Sequence, residues 1–215
     1  MPRILLFQND ATIGERLRSV IQAMPEMEVS GMASTLPHAA RSMLISPPEL
    51  VLADLRLQQS AFGSLFDELG GHTRRARPLV LVGTLSLDDS LLVEAIRQGA
   101  DGYYLHDDST EALQLAIRQA LAGESPMSPR IARELKSLFD APVWNSEGFG
   151  GSTREALQLS EGQLRVLARI SDGYLMHEIA HELQTTPHEV GVGVRTLYRK
   201  LQFDRRAAAM AGQLN

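Results

Sequence analysis

The feature that most constrains this chain is a strict alternation, through residues 1–122, of short apolar runs with amphipathic helical patterns. "RILLF" (3–7), "LVLAD" (50–54), "PLVLVG" (78–83) and "GYYL" (102–105) read as strands, with "EVSGMAS" (28–34) a weaker one. Residues 11–24, 36–45, 88–98 and 109–121 carry apolar side chains at helical spacing. Such alternation predicts a doubly wound α/β domain, a five-stranded parallel sheet with helices on both faces. Its site belongs at the carboxyl ends of the strands, which places Gln8, Asn9, Asp10, Asp54, Thr84 and His106 on one rim.

After Gly123 the pattern changes. "SPMSPRIARELKSLF" has a Ser cap signal followed by Pro, and apolar residues at Ile131, Leu135, Leu138 and Phe139, so it reads as a connecting helix. Residues 140–156 are rich in Gly, Ser and Pro without periodicity and read as a flexible linker. From Leu157 onward strands disappear, leaving three helical segments and "RRAAAMAGQ" as a fourth. The expected organisation is 1–122, a connector over 123–156, and an all-α domain over 157–215.

Composition narrows the functions. The absence of cysteine removes disulfides, thiolate metal sites and cysteine nucleophiles. The opening apolar run falls far short of the about 18 residues that span a bilayer, so the expected setting is cytoplasmic. The net charge is −5, yet residues 151–215 hold eight Lys/Arg against seven acids, with five of the cations inside 195–206.

Two sets of motifs resemble one known family. "LSEGQLRVLARISDGYLMHEIAHELQTT" is similar, at Leu159, Val166, Leu167, Gly173, Glu178, Ile179, Ala180 and Leu183, to the LuxR-type helix-turn-helix pattern, which resumes at Val190 and "LYRKL". "LVLADLRL" and "RQGADGYYLHDD" are similar to the phosphoacceptor strand and the fifth-strand region of CheY-like receivers. Together they resemble a response regulator of the NarL/FixJ type over nearly the whole chain.

The resemblance implies a phosphoryl-transfer site in which a carboxylate is the nucleophile and Mg²⁺, a hard ion, is held by neighbouring acids. Asp54 stands at the phosphoacceptor position. The two acids that would end the first strand are Gln8 and Asn9 here, or Asn9 and Asp10 in the alternative register. The family's strand-end hydroxyl is matched by Thr84, with Gly83 the alternative, its lysine by His106, and its switch aromatic by Tyr103. The loop after Asp54 lacks the usual Pro and sets Gly63 one residue late. Amides bring no charge, so the expectation is a degenerate receiver that holds Mg²⁺ weakly, has no cofactor, and serves dimerisation or an input from a sensor kinase, another protein or a small molecule. Phosphorylation at Asp54 is the alternative.

For the second domain the resemblance implies DNA binding through a recognition helix over 187–201. Its core side would be Val190, Val194, Leu197 and Leu201. Thr186, His188, Arg195, Tyr198, Arg199 and Lys200 are the candidate DNA contacts, with Arg205 and Arg206 as further phosphate partners and Thr186 alternatively an N-cap. Gly191 and Gly193 cost this helix about 1 kcal/mol each relative to Ala. Two other readings compete. "HEIAH" (177–181) matches a zinc-hydrolase motif but finds no third ligand in register, since His188 is one position off. An interaction protein that dimerises through 88–98, 102–105 and 109–121 and binds DNA poorly is the other. The favoured expectation is a non-enzymatic, homodimeric transcription regulator.

Overall fold

The computed structural model describes residues 1–57, 77–87, 91–140 and 159–212. The Gly63 loop, most of the expected linker and the Arg205 and Arg206 side chains lie outside this description. The chain divides into two compact units, Met1–Ala122 and Gly123–Asn215.

In the first unit, β1 (Arg3–Phe7), β2 (Glu28–Ala33), β3 (Leu50–Asp54), β4 (Leu79–Thr84) and β5 (Gly102–Leu105) form one parallel sheet in the order β2-β1-β3-β4-β5. Central strands of such a sheet are covered on both faces, so their sequences are near-continuous apolar runs. Ile4, Leu5, Leu6, Leu50, Val51, Val80 and Val82 are accordingly buried. Each buried Leu, Ile or Val contributes about 1.5–3 kcal/mol. β4 starts at Leu79 rather than at 78, since Pro78 has no N–H to give the ladder.

Four helices of this unit are described: α1 (Ala11–Gln22), α2 (Leu36–Ile45), α3 (Leu91–Gln98) and α4 (Thr110–Leu121). Leu17, Val20 and Ile21 of α1 and Leu113, Ile117 and Ala120 of α4 join the core over Leu6, Leu52 and Leu81. Asp10 caps α1 by accepting from the N–H groups of Thr12 at 2.7 Å and Ile13 at 3.3 Å, and Ser109 caps α4 through Ala112 N–H. Buried Asp101 accepts from Val80 N–H and pairs with Arg77 at 3.0 Å, fixing the entry to β5.

The second unit contains α5 (Pro129–Asp140), α6 (Glu161–Ser171), α7 (Met176–Glu182) and α8 (Pro187–Gly212). The helix expected as a connector belongs to this unit. α5 packs on α6, buries Ile131 and Leu135, and sends Arg133 to the Ser171 carbonyl at the end of α6. Ser160 and Gln163 form a capping box on α6. Gly173, at φ +96°, closes α6 with Tyr174 N–H bonded to the Arg169 carbonyl. The same closure follows α7 with Gln184 at φ +53° and Thr185 N–H on the Ala180 carbonyl. The expected fourth helix is not separate, because α8 runs unbroken for 26 residues. Among the described residues no helix is long and apolar enough to cross a membrane.

Candidate functional site

At the carboxyl ends of β1, β3, β4 and β5 lies a cleft of about 360 Å³ lined by Asn9, Asp10, Ile13, Asp54, Arg56, Thr84, Leu85 and His106. Asp54 ends β3, is 6% exposed, and accepts the Arg56 N–H at 2.8 Å. Its Oδ1 also lies 3.8 Å from His106 Nε2, close enough for electrostatic attraction but long for a hydrogen bond. Burial works against the ionised carboxylate, but His106 and the amide and charge of Arg56 outweigh it, so the Asp54 carboxyl titrates below its ordinary value.

Gln8 does not stand on this rim. It is 3% exposed, and its Nε2 donates to the Leu52 carbonyl at 2.8 Å and the Tyr104 hydroxyl at 3.2 Å. Gln8 follows the last residue of β1, and these two hydrogen bonds hold its side chain inside the domain while the next two residues reach the cleft. Asn9 and Asp10 are the two that line it, and Asp10 spends Oδ1 on capping α1.

Thr84 lines the cleft with its hydroxyl engaged in a turn, donating to the Ser86 carbonyl and accepting Ser86 N–H. Gly83 has a different use. A Cβ there would lie 2.4 Å from His106 Cε1 and 2.6 Å from the Tyr104 hydroxyl, so only glycine leaves room for both rings. Tyr104, which the sequence reading passed over, packs edge-on against His106 at 5.5 Å. Burial pushes its phenol far above the ordinary range. Alternation along "GYYL" was the signal, since Tyr103 and Tyr104 must face opposite sides of the sheet. Tyr103 is buried too. Arg16 holds the segment after β5 by donating to the His106 and Asp108 carbonyls.

On α8 the expected core side is as read, with Val190, Val194, Leu197 and Leu201 no more than 2% exposed. The exposure expected of Arg195 and Tyr198 does not hold, since they are 3% and 0% exposed. Residues 124–126 lie on that side of the helix. Arg195 donates from Nε to Ser125 Oγ at 2.9 Å and also to the Glu124 carbonyl, and Tyr198 donates to the Pro126 carbonyl at 2.6 Å. His188 Nδ1 is 2.8 Å from a Glu124 carboxylate oxygen. Thr186 is an N-cap in a T-x-x-E capping box: its Oγ1 accepts Glu189 N–H, and Glu189 accepts Thr186 N–H at 2.9 Å. Lys200 donates to Gln163 at 2.9 Å, and burial lowers its pKa. Among the described side chains of α8, Pro187 and His188 are exposed in its first turn, followed by a stripe of Glu189, Val192, Thr196 and Arg199 whose formal charges cancel.

No family model matches the chain. It is 27% identical over 206 residues to the nitrate/nitrite response regulator protein NarL of Escherichia coli strain K12, covering 96% of this chain and 92% of that one. It is 24% identical over 209 residues to the DNA-binding transcriptional activator DevR/DosR of Mycobacterium tuberculosis, covering 97% and 92%. A solved structure of RcsB from Salmonella enterica serovar Typhimurium, bound to promoter P1flhDC with the phosphomimetic BeF3-, superposes with a TM-score of 0.52 at 14% identity, covering 94% and 92%. Over nearly its whole length the chain is thus similar to response regulators of the NarL type.

The donor set of the cleft can be compared with what Mg²⁺ requires. That ion takes six oxygens in a near-octahedral shell and favours carboxylates. Here Asp54 and Asp10 are the carboxylates of the cleft, each with an oxygen already accepting backbone N–H groups, beside uncharged Asn9 and cationic Arg56. Among the described residues no three His, Cys, Asp or Glu side chains converge on a common point. In α7, His177 and His181 are exposed, and Glu178 accepts Leu175 N–H at 2.8 Å.

Proposed function

We propose that this chain is a response regulator, a cytoplasmic, homodimeric, DNA-binding transcription regulator whose receiver works without Mg²⁺-dependent phosphorylation. The observation that carries the reading is the surroundings of Asp54. Its carboxylate faces His106 and the Arg56 amide, and the cleft's other acid is committed to a helix cap. A phosphoryl group brings negative charge that an Mg²⁺ ion ordinarily neutralises, and an imidazole 3.8 Å from Asp54 is a weak substitute for such an ion. The input is then a protein or small molecule that favours one arrangement of the receiver.

Two observations support DNA binding: the capped α7-turn-α8 geometry, and relatives whose names describe DNA binding. The expected test outcome is that acetyl phosphate with Mg²⁺ leaves the chain unlabelled, while the purified protein shifts genomic duplexes at low salt. Base-labile label that disappears in Asp54→Ala overturns the phosphate-independent part. Absence of any DNA shift favours the interaction-protein reading, which the cancelling charges of the stripe Glu189, Val192, Thr196 and Arg199 also support.

A further inference from the structure

The segment Glu124–Ser125–Pro126 is bound along one whole flank of α8. Ser125 N–H donates to the Gly191 carbonyl at 3.1 Å, in addition to the contacts of Glu124, Ser125 and Pro126 with His188, Arg195 and Tyr198. These partners recur at positions 188, 191, 195 and 198, a single helical face beside the core face.

Gly191 belongs to this arrangement. A Cβ at 191 would lie 3.0 Å from Glu124 Cβ and 3.1 Å from its carboxylate, so a side chain there displaces the segment. The helix-weakening glycine is thereby explained by the close approach of Glu124. Nothing in the structure explains Gly193, whose added Cβ would meet open space.

We infer that Glu124–Pro126 is an autoinhibitory strap: it buries Arg195 and sets the Glu124 carboxylate beside His188, and its release from α8 switches the recognition helix on. With the strap seated, the exposed residues among the described side chains of α8 are Pro187, His188, Glu189, Val192, Thr196 and Arg199. Arg195 is occupied by a carbonyl and a hydroxyl, and the carboxylate of Glu124 stands beside the helix's first turn, where DNA phosphates would otherwise sit. Releasing the strap exposes one cation for phosphate or base contact and moves one anion away. The strap follows α4 of the receiver domain directly in sequence, so chain continuity links it to that domain. The inference rests on the DNA-binding reading above.

The chain has no cysteine, which permits a reversible lock. In full-length Glu124→Cys/Gly191→Cys the two Cβ atoms need to part by only about half an ångström to reach the usual disulfide separation. The probe is a pool of randomised duplexes of about 30 base pairs at about 50 mM salt, since phosphate contacts dominate there. The oxidised protein is expected to bind about tenfold or more weakly than the same protein after thiol reduction. Equal affinity of the two forms overturns the strap. Should the disulfide fail to form, Glu124→Gln and Ser125→Ala serve instead, with severalfold tighter binding expected. Unchanged or weaker binding then overturns the proposal and leaves the segment as scaffolding. If the reduced double-cysteine protein and the Glu124→Gln and Ser125→Ala variants all bind nothing in the pool, the DNA-binding reading is overturned and the strap with it, a result distinguishable from equal, measurable binding by both redox forms.

Discussion

His106 Nε2 lies 3.8 Å from Asp54 Oδ1, and the two side chains are only 6% and 8% exposed. In so buried a place, attraction between them is weakly screened. Asp54 is thereby one of the groups through which stability depends on pH.

Because the folded Asp54 carboxyl is held below its ordinary value, it adds stability above the unfolded carboxylate range, near pH 4, and loses it as pH falls through the folded value. In His106→Leu the opposing effect of burial is left stronger. That variant is expected to be less stable than wild type between about pH 5 and 8, with the gap narrowing below about pH 3 once the carboxyl is protonated in both states. Urea unfolding across pH measures this. A gap of constant size would mean that His106 supplies packing alone.

Gln8 and Asn9 are adjacent but should respond oppositely to an acid. Gln8→Glu sets a buried carboxylate against the Leu52 carbonyl, which now accepts from the amide, and should cost about 3 kcal/mol in urea unfolding at neutral pH. Asn9→Asp faces the cleft, should cost under about 1 kcal/mol, and should make the melting temperature rise with Mg²⁺ where wild type shows no change.

Gly83→Ala brings a methyl group against two buried rings, His106 and Tyr104. Overpacking of this kind costs about 1–3 kcal/mol. Denaturant titration should show that loss, and near-ultraviolet circular dichroism should show Tyr104 displaced. A neutral substitution would mean that the rings move easily.

Gln184 ends α7 in a left-handed conformation at φ +53°, which costs an L residue about 1 kcal/mol or more. Gln184→Gly should stabilise the second unit by about 0.5–1 kcal/mol, while Gln184→Ala should give no gain. Thermal unfolding of the two variants separates them.

Much of the fold was legible because its causes are local. The apolar runs matched the strands to within a residue, since a buried parallel strand has to be apolar on both faces. The core side of α8 followed from helical spacing at Val190, Val194, Leu197 and Leu201. The site was less legible. Gln8 sits one residue past β1 and is turned inward by the Leu52 carbonyl and the Tyr104 hydroxyl, both distant in the chain, while alternation along "GYYL" does separate Tyr104 from Tyr103. Arg195 and Tyr198 were read as exposed, because spacing within one helix says nothing of a segment some 70 residues earlier in the chain.

By itself, then, the sequence determined two domains, a parallel sheet with Asp54 at the end of its third strand, and a helix-turn-helix with its apolar side named. Those properties depend on periodicity and on neighbours close in the chain. Tertiary structure alone decided that Asp54 meets His106, that Gly83 makes room for two rings, and that Gly191 admits Glu124 against α8. Each of these is a contact between distant residues, where distance in space and burial set the energy and spacing along the chain carries no record of it.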